Sequence, residues 1–128
     1  ESLFYIEGVK RGQLGPANVR KLVKATAVDD GTLCRIRIPQ DPSQAGKDQA
    51  LGYVALLAGY PVKTVRPTGE KTTRAEPAAA QVEAGNVFIV RTGDPAKDAW
   101  ITPFLDEVTV FPAGAHDDQV DAFADALN

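Results

Sequence analysis

Apolar and polar positions along the chain predict strands alternating with helices. Leu3, Phe4, Tyr5 and Ile6 read as a strand, rich in aromatic and β-branched side chains and closed by Gly8. Gly15-Pro16 then opens a helix whose apolar stripe is Val19, Leu22, Val23 and Thr26, ended by Asp29-Asp30-Gly31. Residues 33–38 predict a second strand, with Cys34, Ile36 and Ile38 facing one side and Arg35 and Arg37 the other. A helix over 45–58 follows, with Leu51, Val54, Ala55 and Ala58 as its stripe and Gly59 as its stop. Residues 62–65 form a short strand. A polar, basic loop over 67–74 runs into an alanine-rich helix ending near Gly85-Asn86, and 87–90 is a fourth strand. Residues 96–107 read as a helix around Trp100, Phe104 and Leu105, with Pro103 dividing it. Phe111-Pro112 leads into an acidic turn and a last helix with the stripe Val120, Phe123, Ala124 and Leu127.

Strands and helices in this alternation imply an α/β layered domain around a central, largely parallel sheet. The 128 residues, 44% of them hydrophobic, suit one domain over 1–128 with a real core. Charge changes the picture little. A net charge of −3 and a pI near 5.1 argue against coating nucleic acid by bulk charge, though not against local contact. Cys34 is the only cysteine and lies in an apolar run, so a buried thiol and a reducing compartment are expected. No apolar run approaches the ~20 residues of a membrane span, and no signal-peptide pattern is visible. The chain starts at Glu1 inside a strand and contains no methionine, which reads as a piece trimmed from a longer protein.

Candidate chemistry gathers at two places. Asp41 follows the second strand, between Pro39 and Pro42, at the sheet rim where ligands collect in α/β folds. It reads either as a metal-binding carboxylate or as a turn-forming aspartate, and the spacing leaves both open. His116, Asp117, Asp118 and Asp121 open the last helix. Adjacent like charges repel unless a cation or a positive helix end offsets them. Metal ligation therefore stands beside a plainer reading, in which Asp117 is the N-cap and Asp118 and Asp121 complement the helix dipole. Helical spacing puts Asp117 in line with Val120 and Ala124, toward the sheet, and Asp118 and Asp121 toward the flank. Lys71 and Arg74, beside Gly69 and two threonines, suit phosphate contacts or a solvated loop. Lys47 either reaches a phosphate near Asp41 or is a surface lysine. No Walker-type loop is present, so nothing supports ATP hydrolysis.

Four segments together resemble the C-terminal nuclease domain of the phage terminase large subunit. They are Ile38 through Lys47, Thr68 through Ala75, Gln81 through Val87, and Phe111-Pro112 through Ala122. Their order and spacing cover nearly the whole chain. The resemblance implies an RNase H-like α/β fold, a mixed central sheet flanked by helices and here lacking its first strands. It implies an endodeoxyribonuclease that uses two Mg²⁺ or Mn²⁺ ions to cut concatemeric double-stranded DNA during packaging. Asp41 matches the family's second carboxylate, and Asp117 and Asp118 match its last; the family favours Asp118 of that pair, the helical spacing Asp117. All three would ligate metal, His116 would move a proton or orient a carboxylate, and Lys47, Lys71 and Arg74 would track the DNA backbone.

The first-strand aspartate of the family has no match here, since Glu7 aligns with a non-ligand position. A weakly active or inactive chain is therefore expected. The implied partners are the terminase ATPase domain, the small subunit and the portal, in the bacterial host cytoplasm, with the isolated domain a monomer away from membranes. Other readings are another RNase H-like nuclease, of resolvase or transposase type, and a non-catalytic domain that docks on the portal.

Overall fold

A computed structural model of the protein describes residues 2–66, 70–114 and 118–127, apart from the Lys71 side chain. The chain divides into two compact units, residues 12–68 and residues 1–11 with 69–128. Each holds one two-stranded parallel sheet with helices, so the α/β class and the parallel pairing are as the sequence implies.

In the unit of residues 12–68, α1 (Pro16–Asp30) opens on a proline, whose missing N–H would have had no helical acceptor. It ends where Gly31 turns to φ 84° and donates its N–H to the Ala27 carbonyl at 3.0 Å. The strand β2 (Ile36–Pro39) pairs with β3 (Val62–Val65), Ile36 opposite Val62. Bonds from Ile36 N–H to the Pro61 carbonyl (2.9 Å) and from Gln40 N–H to the Val65 carbonyl (2.7 Å) extend the ladder at both ends. The helix α2 (Gln44–Leu56) packs on both strands. Lys24 of α1 donates to the Leu56 carbonyl at 3.3 Å and lies over the Tyr60 ring, which ties α1 to the end of α2.

Two expectations are corrected in this unit. Pairing starts at Ile36 rather than at residue 33, so Cys34 is exposed and Leu33 is 97% exposed. The cause is the partner strand: β3 begins only at Val62, and residues 33–35 have no strand beside them among the described residues. The buried side of α2 is Gly46, Ala50, Tyr53 and Leu57, whereas Leu51, Val54, Ala55 and Ala58 are exposed. Spacings of four, three and four keep the helical period but turn the inward face by about one residue, roughly 100°. Tyr53 supplies the large apolar surface, and Gly46 lets the helix start close against the chain.

In the other unit, β1 (Phe4–Ile6) pairs with β4 (Val87–Ile89), Phe4 opposite Val87. The helices α3 (Lys71–Glu83) and α4 (Ile101–Val110) both pack on α5 (Asp118–Leu127). The buried residues of α3 are Ala75 and Ala78, small enough for two helix backbones to approach closely. Phe104 is buried, edge-on to Trp100 at 5.9 Å and to Phe123 at 6.1 Å. On α5, Val120 and Ala124 are buried and Phe123 and Leu127 half-buried, as the stripe implies.

The expected helix over 96–107 is displaced. Residues 95–100 are turns, and α4 begins at Ile101. Asp98 accepts hydrogen bonds from Thr92 N–H (3.0 Å), the Thr92 hydroxyl (2.8 Å) and Gly93 N–H (3.1 Å), which closes a loop before the helix. Pro103 then falls in the first turn of α4, where a backbone N–H has no helical acceptor, so it does not divide the helix.

Candidate functional site

Asp41 sits just beyond β2, in the link that the Gln40–Val65 bond fastens to the sheet. The side chain is exposed, and its Oδ1 accepts the Ser43 N–H at 3.0 Å, an Asx-turn. Ser43 caps α2, its Oγ accepting the Gly46 N–H at 3.1 Å. The turn reading of Asp41 thus describes one oxygen. The other, Oδ2, has no partner among the described residues. A Cβ on Gly46 would overlap the Asp41 carbonyl oxygen and lie 2.5 Å from the Asp41 Cβ. Glycine is therefore what allows the first turn of α2 to press against Asp41.

A shallow, open depression of about 500 Å³ lies here, lined by Arg20, Asp41, Ser43, Gly46, Asp48 and Gln49 among others. Arg20 reaches it from α1, and its guanidinium has no ion pair among the described residues. Its Nη2 lies near Gly52 of α2, while Lys47 is exposed on α2 and is not among the lining residues. Sequence spacing gave no signal for Arg20, because it lies on a different helix, twenty-one positions before Asp41.

At the other end of the chain, Asp118 is the first residue of α5 and is exposed. Asp121, one turn on, faces Arg74 of α3 at 3.9 Å. Arg74 is thus partly engaged by a carboxylate, in a surface pair of the kind that is weak in water. His116, Asp117 and the Lys71 side chain lie outside the described residues. Sequence reasoning missed Glu107 and Gln119, both buried beside the start of α5. Glu107 Oε2 accepts the Val120 N–H at 2.9 Å, and Oε1 accepts from Gln119 Nε2 at 3.1 Å.

Strand-end and helix-start carboxylates in an α/β chain are the setting in which one comparison falls. The family model of the terminase RNaseH-like domain matches residues 2–128. The chain belongs to this family. Neither curated proteins nor solved structures give a match.

Terminase RNaseH-like domains are nuclease domains of the phage DNA-packaging machinery, and RNase H-like nucleases generally use divalent metals. The donors of this terminase domain suit such an ion. Asp41, Asp48, Ser43 and Gln49 line one depression with no sulfur or imidazole side chain, a residue set with the oxygen groups a hard cation prefers, although Arg20 shares that lining. Asp41 belongs to one compact unit and Asp118 to the other. No three His, Cys, Asp or Glu side chains cluster among the described residues. No helix among them is long and apolar enough to cross a membrane.

Proposed function

We propose that residues 1–128 are a single, partial nuclease domain of a terminase that cuts concatemeric double-stranded DNA during phage packaging, with Mg²⁺ or Mn²⁺. The observation that carries this reading is the family match over 2–128, joined to Asp41 at the end of β2 and Asp118 at the start of α5. Asp41, Asp117 and Asp118 are the metal-holding carboxylates. Bound there, the ions supply Lewis-acid activation of water and charge stabilisation at the leaving 3′ oxygen. His116 holds or moves a proton beside them.

DNA is held by charge. Lys47, Lys71 and Arg74 track the phosphate backbone, and Arg20 adds a cation in the lining of the depression that Asp41 shares. The Arg74–Asp121 contact, at 3.9 Å and partly exposed, is weak enough for a phosphate to replace. The domain works with the terminase ATPase domain, the small subunit and the portal in the bacterial host cytoplasm, and is a monomer by itself. Residues 1–128 offer no match to the family's first-strand aspartate, so this chain alone cuts weakly or not at all.

Calorimetric titration of the chain with Mn²⁺ tests the reading. Weak, saturable heat that falls in Asp41→Asn and in Asp118→Asn is expected. Heat unchanged by both substitutions would overturn it.

A further inference from the structure

We infer that Glu107 is a positioning residue that fixes the first turn of α5 and thereby the Asp118 carboxylate; this rests on the proposed metal-holding role of Asp118. Glu107 and Gln119 are the buried polar residues of the chain's described part, 7% and 5% exposed. The helix α5 begins at Asp118, so the Val120 N–H is one of the four that helix geometry leaves without an acceptor inside the helix. Such a donor is ordinarily taken by a side chain at the residue just before the helix. Here the acceptor is a carboxylate thirteen residues earlier, on α4.

Two consequences follow for the acidic run. The Val120 donor is satisfied by Glu107, and the Asp118 carboxylate is exposed with no partner among the described residues. The helix start is also held from below. Glu107 binds backbone and side chain of consecutive residues, Gln119 and Val120, directly after Asp118. The Gln119 Oε1 is already buried without a partner, so losing Glu107 leaves that amide wholly unpaired beside an unpaired Val120 N–H. Water must then enter and the first turn must open, which displaces Asp118.

A purely structural residue would lower the melting temperature yet leave the ion affinity of the folded protein unchanged. A positioning residue changes the affinity itself. The test measures Mn²⁺ affinity by electron paramagnetic resonance, and amide exchange at Val120, at a temperature where circular dichroism shows every variant folded. Glu107→Leu should speed Val120 exchange by about tenfold or more. It should also weaken Mn²⁺ binding by about tenfold, the size expected for the loss of an outer-shell support.

Glu107→Gln should stay within about twofold on both, because its carboxamide oxygen still accepts from Val120 and a rotated Gln119 amide restores the second bond. If the leucine variant does not fold, Glu107→Asp, one methylene short of reaching both partners, takes its place with the same expected direction. Faster Val120 exchange with unchanged Mn²⁺ affinity, while Asp118→Asn weakens binding, would overturn the positioning role alone. Binding unchanged in Asp118→Asn would overturn the metal role of Asp118, and the positioning role with it.

Discussion

Gly46→Ala is the substitution whose sign tells most about how Asp41 is held. In an unobstructed helix the change stabilises, by up to about 1 kcal/mol, because alanine loses less backbone entropy. At this position the new Cβ would lie 2.5 Å from the Asp41 Cβ and 2.8 Å from its carbonyl carbon, where ordinary contact begins at 3.4 Å. The shortfall is roughly 0.6 to 0.9 Å, and the obstacles are backbone and Cβ atoms, which no rotamer change can move. Overpacking of that kind costs about 2–3 kcal/mol, so the clash wins and net destabilisation of about 1–2 kcal/mol is expected. The Ser43 cap would strain as well, since its Oγ accepts from the N–H of this same residue. Urea denaturation reads the effect as a midpoint lower by roughly 1 M at a slope near 1.5 kcal/mol per molar. A midpoint equal to or above that of the parent chain would refute the close approach of α2 to Asp41.

Three further predictions test parts of the fold. Leu57→Ala should cost about 2–5 kcal/mol, because Leu57 is 1% exposed, and Leu51→Ala less than about 0.5 kcal/mol; equal costs in urea melts would contradict the inward face of α2. Cys34 should react with Ellman's reagent in the folded protein as an open thiol does, and an increase of more than about tenfold on adding denaturant would show it shielded instead. Hydrogen bonds from the Thr92 backbone and hydroxyl hold the Asp98 carboxyl below its ordinary value. Its contribution to stability is therefore present above the unfolded-state value, about 4, and is lost as pH falls through the lower folded value. Asp98→Asn should thus cost more at pH 6 than at pH 3, and the same cost at both would remove this source of acid sensitivity.

Much of the fold was legible because local pattern decides it. Pro16 at a helix start, the turn at Gly31, the strand at Val62–Val65 and the Val120/Ala124 stripe of α5 all stand where the sequence places them. What escaped depends on partners distant in sequence. The inward face of α2 was misjudged because Leu51 and Val54 outrank Gly46 and Ala50 in apolarity, whereas the packing on β2 and β3 needed small residues near Asp41. Cys34 lost its burial for want of a strand opposite. The start of α4 shifted because Asp98 spends its carboxylate on the Thr92–Gly93 backbone, a side-chain bond that periodicity does not register.

The candidate site was half legible in the same sense. Asp41 and Asp118 announce themselves as acids at a strand end and a helix start. Arg20 gives no signal in the sequence, and its place in the lining of the depression that Asp41 shares comes from the packing of α1 near α2. Glu107 reads as one polar position of an amphipathic helix until the Val120 amide is found against it.

The central proposal, that Asp41 and Asp118 are each metal-holding carboxylates, is tested most directly by adding Mn²⁺ to the isotopically labelled chain and recording which amide signals broaden. Paramagnetic broadening centred on Asp41 and on Asp118 is the predicted result. Broadening centred on Asp29-Asp30 or on the Asp94–Asp98 loop, with the signals around Asp41 and Asp118 unaffected, would contradict it.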